Sequence, residues 1–299
     1  MTGQDRYPHP ARTALQAALT GSLGGLTADQ VAVAACVFVA SPRLSDPGPW
    51  LAQKWWGHRD GVAIYPASVM KLFVLAGLAA FRAKGQMAPD AEDDRAAAAM
   101  IRMSSNEATA YLMGRMTGAE DGCCLDETAL AKWCQQRALL QDWYLGQDRR
   151  EYAGLSLLHA TYHDSPYGRA FQARSTDNAN RLSALAAATL LHDIIRGAVP
   201  GSKGMRDLLQ RDFQRQPGYF DPDGDQVRGF LAEGLPAEVR TWSKAGHTST
   251  TRHDLLFGEN PGGSAFLLSV MTEGAWTARN GSFLPAFARE FHARAFPKL

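Results

Sequence analysis

Lysine is scarce in this chain: only seven occur among its 31 basic residues, so a lysine at a chemically meaningful spacing stands out. Cysteine is scarcer still. Cys36, Cys123, Cys124 and Cys134 are too few for a disulfide scaffold, and a reduced, structural role is expected for them, Cys36 as buried filler in an apolar strand. Adjacent Cys123 and Cys124 leave metal binding or a response to oxidation as the sharper alternative. Excess charge is nearly absent: a net charge of +1 gives no general attraction to nucleic acid or to an anionic lipid surface. No stretch is long and apolar enough to span a membrane, and no internal repeat or low-complexity segment is visible.

What is present is an ordinary globular composition, 45% hydrophobic and 20% charged over 299 residues, enough for one large domain or two smaller ones. At the N-terminus, Arg6 and Arg12 precede Ala14 to Gly21, a segment interrupted by polar residues and without a clear cleavage site. It reads as a first amphipathic helix, and the protein is expected to be cytoplasmic.

Val31 to Val39 reads as a buried strand, Ser41 to Pro49 as a turn, and Trp50 to Trp56 as the return strand. Helical text follows: the apolar run Leu72 to Phe81, then Ala96 to Ile101, Thr109 to Met113, Leu130 to Leu140, Leu182 to Ile195 and Met205 to Phe213. Gln141 to Asn178 is a long polar stretch, the kind of loop that tends to be functional. Strand signals return at Val239 to Lys244, His253 to Phe257 and Ala265 to Met271, with Asn260 to Gly263 as a turn and a closing helix from Leu284 to Phe296. Strands at both chain ends suggest one sheet built from both termini, plus a helical subdomain.

Three short motifs carry chemistry. In Ser68-Val69-Met70-Lys71, the one lysine with a serine three residues before it, serine and lysine share a helix face. A serine hydroxyl is a poor nucleophile until a base takes its proton, and a lysine serves only when neutral, a state favoured by burial beside other positive groups. The apolar run after Lys71 marks a helix buried on all sides, with Ser68 at its start. Ser104-Ser105-Asn106 and Lys244-Ala245-Gly246 follow in chain order. Each has a purely structural reading: Ser68 as a helix N-cap, Ser104-x-x-Glu107 as a capping box, and Lys244 to Gly246 as a strand entering a turn.

Together, in this order, the motifs resemble the serine β-lactamase and penicillin-binding protein superfamily, most closely its class A β-lactamase-like branch. Tyr65-Pro66-Ala67, Ala99 to Ile101, Gly234 to Pro236 and Thr251 to Leu255 extend the likeness to roughly residues 30 to 297. The resemblance implies an α/β (α+β) fold: an antiparallel five-stranded sheet built from both chain ends, terminal helices against it, and an all-helical subdomain. One catalytic domain over 1–299 is expected, its sheet part at 26–66 and 202–299 and its helical part at 67–201. It further implies Ser68 as nucleophile, Lys71 as base, Ser104 as proton relay, Asn106 as a partner of Lys71 and of a substrate amide, and Lys244 as a source of positive charge. The backbone N–H groups of Ser68 and His247 would form the oxyanion hole, and Ala245, Gly246, Thr248 and Arg252 would bind substrate.

Two departures qualify that picture. The Glu-x-x-Leu-Asn segment that deacylates class A enzymes is missing between Gln141 and Asn178, where His159, His163 and Asp164 are the candidates for a deacylating role. Ala245 replaces the hydroxyl residue that helps hold a substrate carboxylate, which points to a different or carboxylate-free acyl substrate, with Arg252 or Thr248 in compensation. The expected protein is a serine hydrolase or acyltransferase working on a small amide or ester, without cofactor, metal, nucleic acid or membrane. The alternatives are a β-lactamase or D-alanyl-D-alanine carboxypeptidase with another deacylating residue, and a non-catalytic ligand-binding protein of the same fold. His159-x-x-x-His163 has zinc-pair spacing without a third ligand, and Asp221 to Asp225 has calcium-loop character without the closing glutamate, so pocket histidines and a turn are expected instead. Trp55, Trp56, Trp143, Tyr144, Tyr152, Tyr162 and Tyr167 are candidates for an apolar acyl pocket or for core packing.

Overall fold

Apolar strand text at both ends of the chain pairs into one sheet. The computed structural model describes residues 9–22, 24–38, 53–160, 167–175, 177–211 and 226–297. In chain order the elements are α1 (Pro10–Gly21), β1 (Val31–Phe38), β2 (Gln53–His58), α2 (Lys71–Ala83), α3 (Ala91–Arg102), α4 (Asn106–Thr117), α5 (Glu127–Arg137), α6 (Leu139–Leu145), α7 (Gly168–Gln172), α8 (Ala184–Ile195), α9 (Ser202–Leu209), β3 (Gln210–Arg211), β4 (Arg240–His247), β5 (Arg252–Glu259), β6 (Ala265–Thr272), α10 (Ala275–Arg279) and α11 (Phe283–Ala295). None of these helices is long and apolar enough to cross a membrane. Val39, Trp50 and Phe213 lie outside the described residues.

The chain divides into two compact units, one formed by 1–60, 210–220 and 225–299, the other mainly by 61–209. The first unit holds the antiparallel sheet, in the order β2-β1-β6-β5-β4-β3. Five of its strands are those the sequence suggests, and the sixth, β3, is a two-residue edge strand too short to leave a periodic signal. Every residue of β6 is buried, as is nearly all of β1 and β5, which is why their text reads as continuous rather than alternating apolar runs. Val31, Val33, Ala35, Leu256, Leu268 and Val270 form a core with Ala11, Ala14 and Leu15 of α1 and Leu284, Phe287 and Phe291 of α11. At about 25 cal/mol per Å² of apolar surface, a core of this breadth is the main favourable contribution to this unit's stability.

The second unit is helical. Its central helix, α2, is buried from Lys71 through Leu78. Gly77 packs closely there: a Cβ would sit 2.4 Å from Leu140 Cδ1 of α6, so any side chain would make that leucine move. The Tyr144 hydroxyl of α6 donates to the Phe73 carbonyl at 2.8 Å, and the two rings pack edge to face. The stretch Leu130 to Leu140, which reads as one helix, is two, with Ala138 between α5 and α6. Asp93 of α3 is fully buried between Arg82 of α2, at 3.5 Å, and Arg115 of α4, at 3.1 Å. Burial opposes ionisation of Asp93, but the hydrogen bonds from Arg115 and Tyr111 and the two arginine charges outweigh it and lower its pKa.

One buried group works against the sheet. Asp254 on β5 is fully buried, accepting a hydrogen bond from the Leu231 N–H at 2.9 Å through Oδ2, while Oδ1 has no partner among the described residues. Burial raises its pKa from 3.8 to about 7, and the Leu231 N–H and the Arg211 and Lys244 charges only partly oppose this. The fold therefore favours the protonated acid, a contribution fully present below pH 4 and lost as pH rises through 7. A rise of that size corresponds to roughly 4 kcal/mol. Asp254→Asn, which keeps the acceptor but cannot ionise, is expected to gain stability relative to the parent between pH 4 and pH 7. Paired urea denaturations across that range read the difference, and a flat difference contradicts a buried titrating carboxyl.

Candidate active site

Within the helical unit, Ser68 lies in a short 3₁₀ turn, Ala67–Met70, that runs directly into α2, whose first residue is Lys71. Ala67, just before the serine, has φ 45°, in the left-handed region that L-residues enter at a cost of about 1–3 kcal/mol. Such strain clusters at working sites. Ser68 does not serve as a cap: neither the turn nor α2 has a side-chain cap hydrogen bond. Its half-buried hydroxyl makes no hydrogen bond among the described residues.

Lys71 is 1% exposed. Its Nζ donates to Asn106 Oδ1 at 2.6 Å, to Ser104 Oγ at 3.3 Å, and to the Ser104 carbonyl. Three residue types expected to act together are thus joined by direct hydrogen bonds. Ser104 is itself left-handed, φ 57°, a conformation that brings both its carbonyl and its hydroxyl to the lysine. The capping of α4 falls to the neighbour: Ser105 Oγ accepts from the Ala108 N–H at 3.0 Å. Spacing alone offered a capping box at Ser104, but the next serine performs the local task and leaves Ser104 to Lys71.

The remaining motif lies on the sheet unit. Lys244, inside β4, is 1% exposed, and its Nζ donates to Gln226 Oε1 at 2.6 Å and to the Ala245 carbonyl at 2.7 Å. Gln226 also accepts from the Ala245 N–H at 3.2 Å. Nothing in the sequence singled out this glutamine, which stands 18 residues before Lys244 without a pattern. Ala245 belongs to the apolar core beneath α1 and α11. Gly246 and His247 end the strand, and Thr248 to Thr251 turn back through the Thr248–Thr251 hydroxyl contact at 2.9 Å. Arg252, opening β5, spends its donors on carbonyls, Thr277 at 3.2 Å, Ala278 at 3.1 Å and Gly229 at 3.4 Å, and its guanidinium lies over Phe230. No carboxylate pairs with it among the described residues. Burial lowers its pKa. His247 Nε2 lies 2.7 Å from the Ala278 carbonyl and 3.3 Å from Arg252. Its pKa is lowered, mainly by burial and also by the Arg252 charge, against the pull of the Ala278 bond, so the neutral imidazole is favoured.

The loop expected to supply a deacylating group is clamped at its neck. Ser156 and Arg181 exchange backbone hydrogen bonds of 2.9 Å. The His159 N–H donates to Asn180 Oδ1 at 2.9 Å, and Asn180 Nδ2 returns a bond to the His159 carbonyl at 2.5 Å. The His159 ring, 3% exposed, meets Asn178 Oδ1 at 3.0 Å. Burial lowers its pKa. His159 thus sits in the clamp, while His163, Asp164 and Tyr162 lie outside the described residues, as do Asp221 to Asp225. No group of three or more His, Cys, Asp or Glu side chains suited to a metal occurs among the described residues. Tyr144 and Tyr152 pack against Phe73 in the core, Trp143 packs against Phe81, Trp56 stacks with His9 and His58, and Tyr167 is 84% exposed. Cys36 is buried, with its thiol pushed up to about 12 by burial, while Cys123 and Cys124 are exposed and free.

Comparison with known proteins agrees with this layout. The sequence profile of the beta-lactamase enzyme family matches residues 94–292. No curated protein matches the chain. Among solved structures, a beta lactamase from Burkholderia vietnamiensis is similar over 98% of this chain and 99% of its own, with TM-score 0.62 and 14% identity. PBP-A is similar over 98% and 99%, with TM-score 0.63 and 16% identity. A beta lactamase from Xanthomonas campestris pv. campestris is similar over 94% and 95%, with TM-score 0.61 and 16% identity. At these identities the structural likeness speaks for the fold.

The two adjacent serines are expected to separate cleanly on mutation. Ser105→Ala removes the cap of α4 and should lower stability by about 1 kcal/mol. Ser104→Gly removes the hydroxymethyl group, with its bond to Lys71, but keeps the carbonyl bond and relieves a left-handed backbone, so its stability should stay within about 1 kcal/mol of the parent. Thermal denaturation of both variants checks the division; an equal loss at the two positions contradicts it.

Proposed function

The chain belongs to the beta-lactamase enzyme family, and from that premise we propose that it is a serine hydrolase that cleaves a small amide or ester through an acyl-enzyme on Ser68. The observation that carries the reading is the buried Lys71 amine, tied to Ser104 and Asn106 one turn from a serine hydroxyl with no hydrogen bond of its own among the described residues. In the proposed cycle, Lys71 first loses a proton, so that its amine keeps two of its three donated hydrogen bonds and a free lone pair, and Ser68 Oγ attacks the acyl carbon while its proton passes to that neutral amine. The Lys71–Ser104 contact then carries a proton to the departing nitrogen or oxygen as the carbonyl re-forms. Water attack on the ester returns Ser68 and releases the acid. Asn106 orients Lys71 and binds a substrate amide. Lys244, with Gly246, His247 and Thr248, is assigned to substrate binding and charge, and the backbone N–H groups of Ser68 and His247 to the developing oxyanion.

Arg252 receives an anionic substrate group in this reading. Its support is a guanidinium held by carbonyls and an aromatic face without a carboxylate partner among the described residues. Ala245 offers no hydroxyl for that task. The reading also expects slow deacylation, because the loop from Gln141 to Asn178 has no Glu-x-x-Leu-Asn segment.

Incubation with a fluorescent penicillin and with a fluorophosphonate, followed by intact mass, tests the proposal. A single adduct should form with at least one probe and be absent from Ser68→Ala. Lack of any adduct, under conditions that label a control serine enzyme, contradicts it. With nitrocefin, a stoichiometric burst and a slow steady state are expected, and rapid turnover without a burst contradicts slow deacylation. Arg252→Ala is expected to raise KM about tenfold or more for an anionic ester while leaving a neutral ester within about threefold, a split read from paired kinetics.

A further inference from the structure

We propose that the cleft between α2, α6 and α8 binds a small aromatic carboxylate, its ring among apolar side chains and its carboxylate on the Tyr152 hydroxyl. The cleft has a volume of about 250 Å³ and lies wholly within the helical unit. An apolar space of roughly 150 Å³ suffices for benzene, so one ring with a short side arm fits. Ala76 and Ala80 of α2, Trp143 of α6, Leu190 of α8, and Val199 and Pro200 beyond α8 form its apolar wall. It opens to solvent past the exposed Lys84 and Gln147.

Tyr152 points to an occupant. It is 2% exposed, yet its hydroxyl makes no hydrogen bond among the described residues. Burying a polar group without a partner is destabilising, and a ligand oxygen would supply the partner. Unlike Arg82 Nε or Ser269 Oγ, which are closed off from solvent as well as unpartnered, this hydroxyl is reachable. The charges that act on it are those of Arg149, Asp193 and Glu151, and the first two line the cleft together with Tyr152. The hydroxyl therefore faces the cleft. Tyr144 is the contrast: its ring packs 5.4 Å from that of Tyr152, but its hydroxyl is spent on the Phe73 carbonyl at 2.8 Å. Burial pushes the Tyr152 pKa up to about 12, against the Arg149 charge, so the group is a donor at neutral pH.

The other polar side chains set the ligand's charge. Asp193 lines the cleft, but both its oxygens are taken, Oδ2 by Arg149 at 2.5 Å and Oδ1 by Arg196 at 2.9 Å. Arg149 spends Nη1 on Asp193, holds Nε 3.9 Å from Glu151, and keeps Nη2 without a partner among the described residues. Lys84 Nζ lies 5.6 Å from the Trp143 ring centre and pairs with no carboxylate among the described residues. Apart from the Gln147 amide, which offers both kinds of group, the unspent polar side chains are donors. A carboxylate accepts from all of them, and a bond to a charged acceptor is roughly twice as strong as one to a neutral oxygen. An ammonium finds two cations and an acid already paired. The Trp143 face and the Tyr152 edge suit an aromatic body.

3-Phenylpropanoate, titrated into the full chain by isothermal calorimetry, is the probe, with 3-phenylpropanamide and 3-phenylpropylamine as neutral and cationic controls. Saturable binding is expected, about tenfold or more tighter than either control. Tyr152→Phe deletes only a hydroxyl that holds no bond in the free protein, and should weaken the carboxylate about tenfold while melting within a few degrees of the parent. Ala198→Phe, at an exposed position lining the cleft, fills it and should weaken binding about tenfold as well. Lys84→Gln should cost at least about threefold. Arg252→Ala, in the sheet unit, should leave the affinity within about twofold, which separates the cleft from the anion position assigned to that arginine. No saturable binding, an affinity unchanged in Tyr152→Phe or in Ala198→Phe, an affinity lost in Arg252→Ala, or equally tight binding of the amide or the amine overturns the proposal.

Discussion

One amine holds the working part of the helical unit together. Lys71 begins the buried helix α2, and its Nζ is bonded to the turn at Ser104 and to Asn106, the first residue of α4. A lysine nitrogen taken from water without such acceptors would cost several kcal/mol, so the Ser104–Asn106 turn is a condition for burying Lys71 at all. The same turn is left-handed at Ser104, and the residue before Ser68 is left-handed at Ala67, so strained backbone flanks the lysine on both of its segments. The packing of α2, through Gly77 against Leu140 and through the Tyr144 bond to Phe73, over-determines the helix and makes that strain sustainable.

The sheet unit solves a parallel problem at Lys244. This second buried lysine is satisfied by Gln226 and by the carbonyl of its own neighbour, Ala245. Beside it on β5, directly across from Ala245, lies the buried carboxyl of Asp254, stabilised by the Leu231 N–H. A cation and an ionisable acid are thus buried on adjacent strands, and each carries a desolvation cost that its own hydrogen bonds offset. Arg252, at the open end of the same pair, extends the positive charge without a carboxylate partner among the described residues.

Much of this was legible in the chain. Ser68 and Lys71 stand out by spacing, Ser104, Asn106 and Lys244 only through the resemblance that the three motifs carry in this order, and the continuous apolar text of β1, β5, β6 and α2 reports burial on every side. What spacing could not decide was which of two adjacent serines caps α4, because either offers an oxygen to the first turn; only the left-handed backbone of Ser104 settles it. Gln226 was invisible because its role depends on a contact distant in sequence and carries no periodic signature. The break between α5 and α6 was missed because Ala138 is a good helix former, and β3 because two residues carry no pattern.

The central claim is that Ser68 carries the acyl group. Tryptic peptide mapping of protein labelled to completion with an acylating probe locates the adduct directly, since cleavage after Arg59 and Lys71 isolates residues 60–71 as one peptide. The account predicts that the added mass resides on this peptide and that fragmentation assigns it to Ser68. An adduct on Ser104, on a lysine or on any other peptide, with 60–71 recovered unmodified, would contradict it.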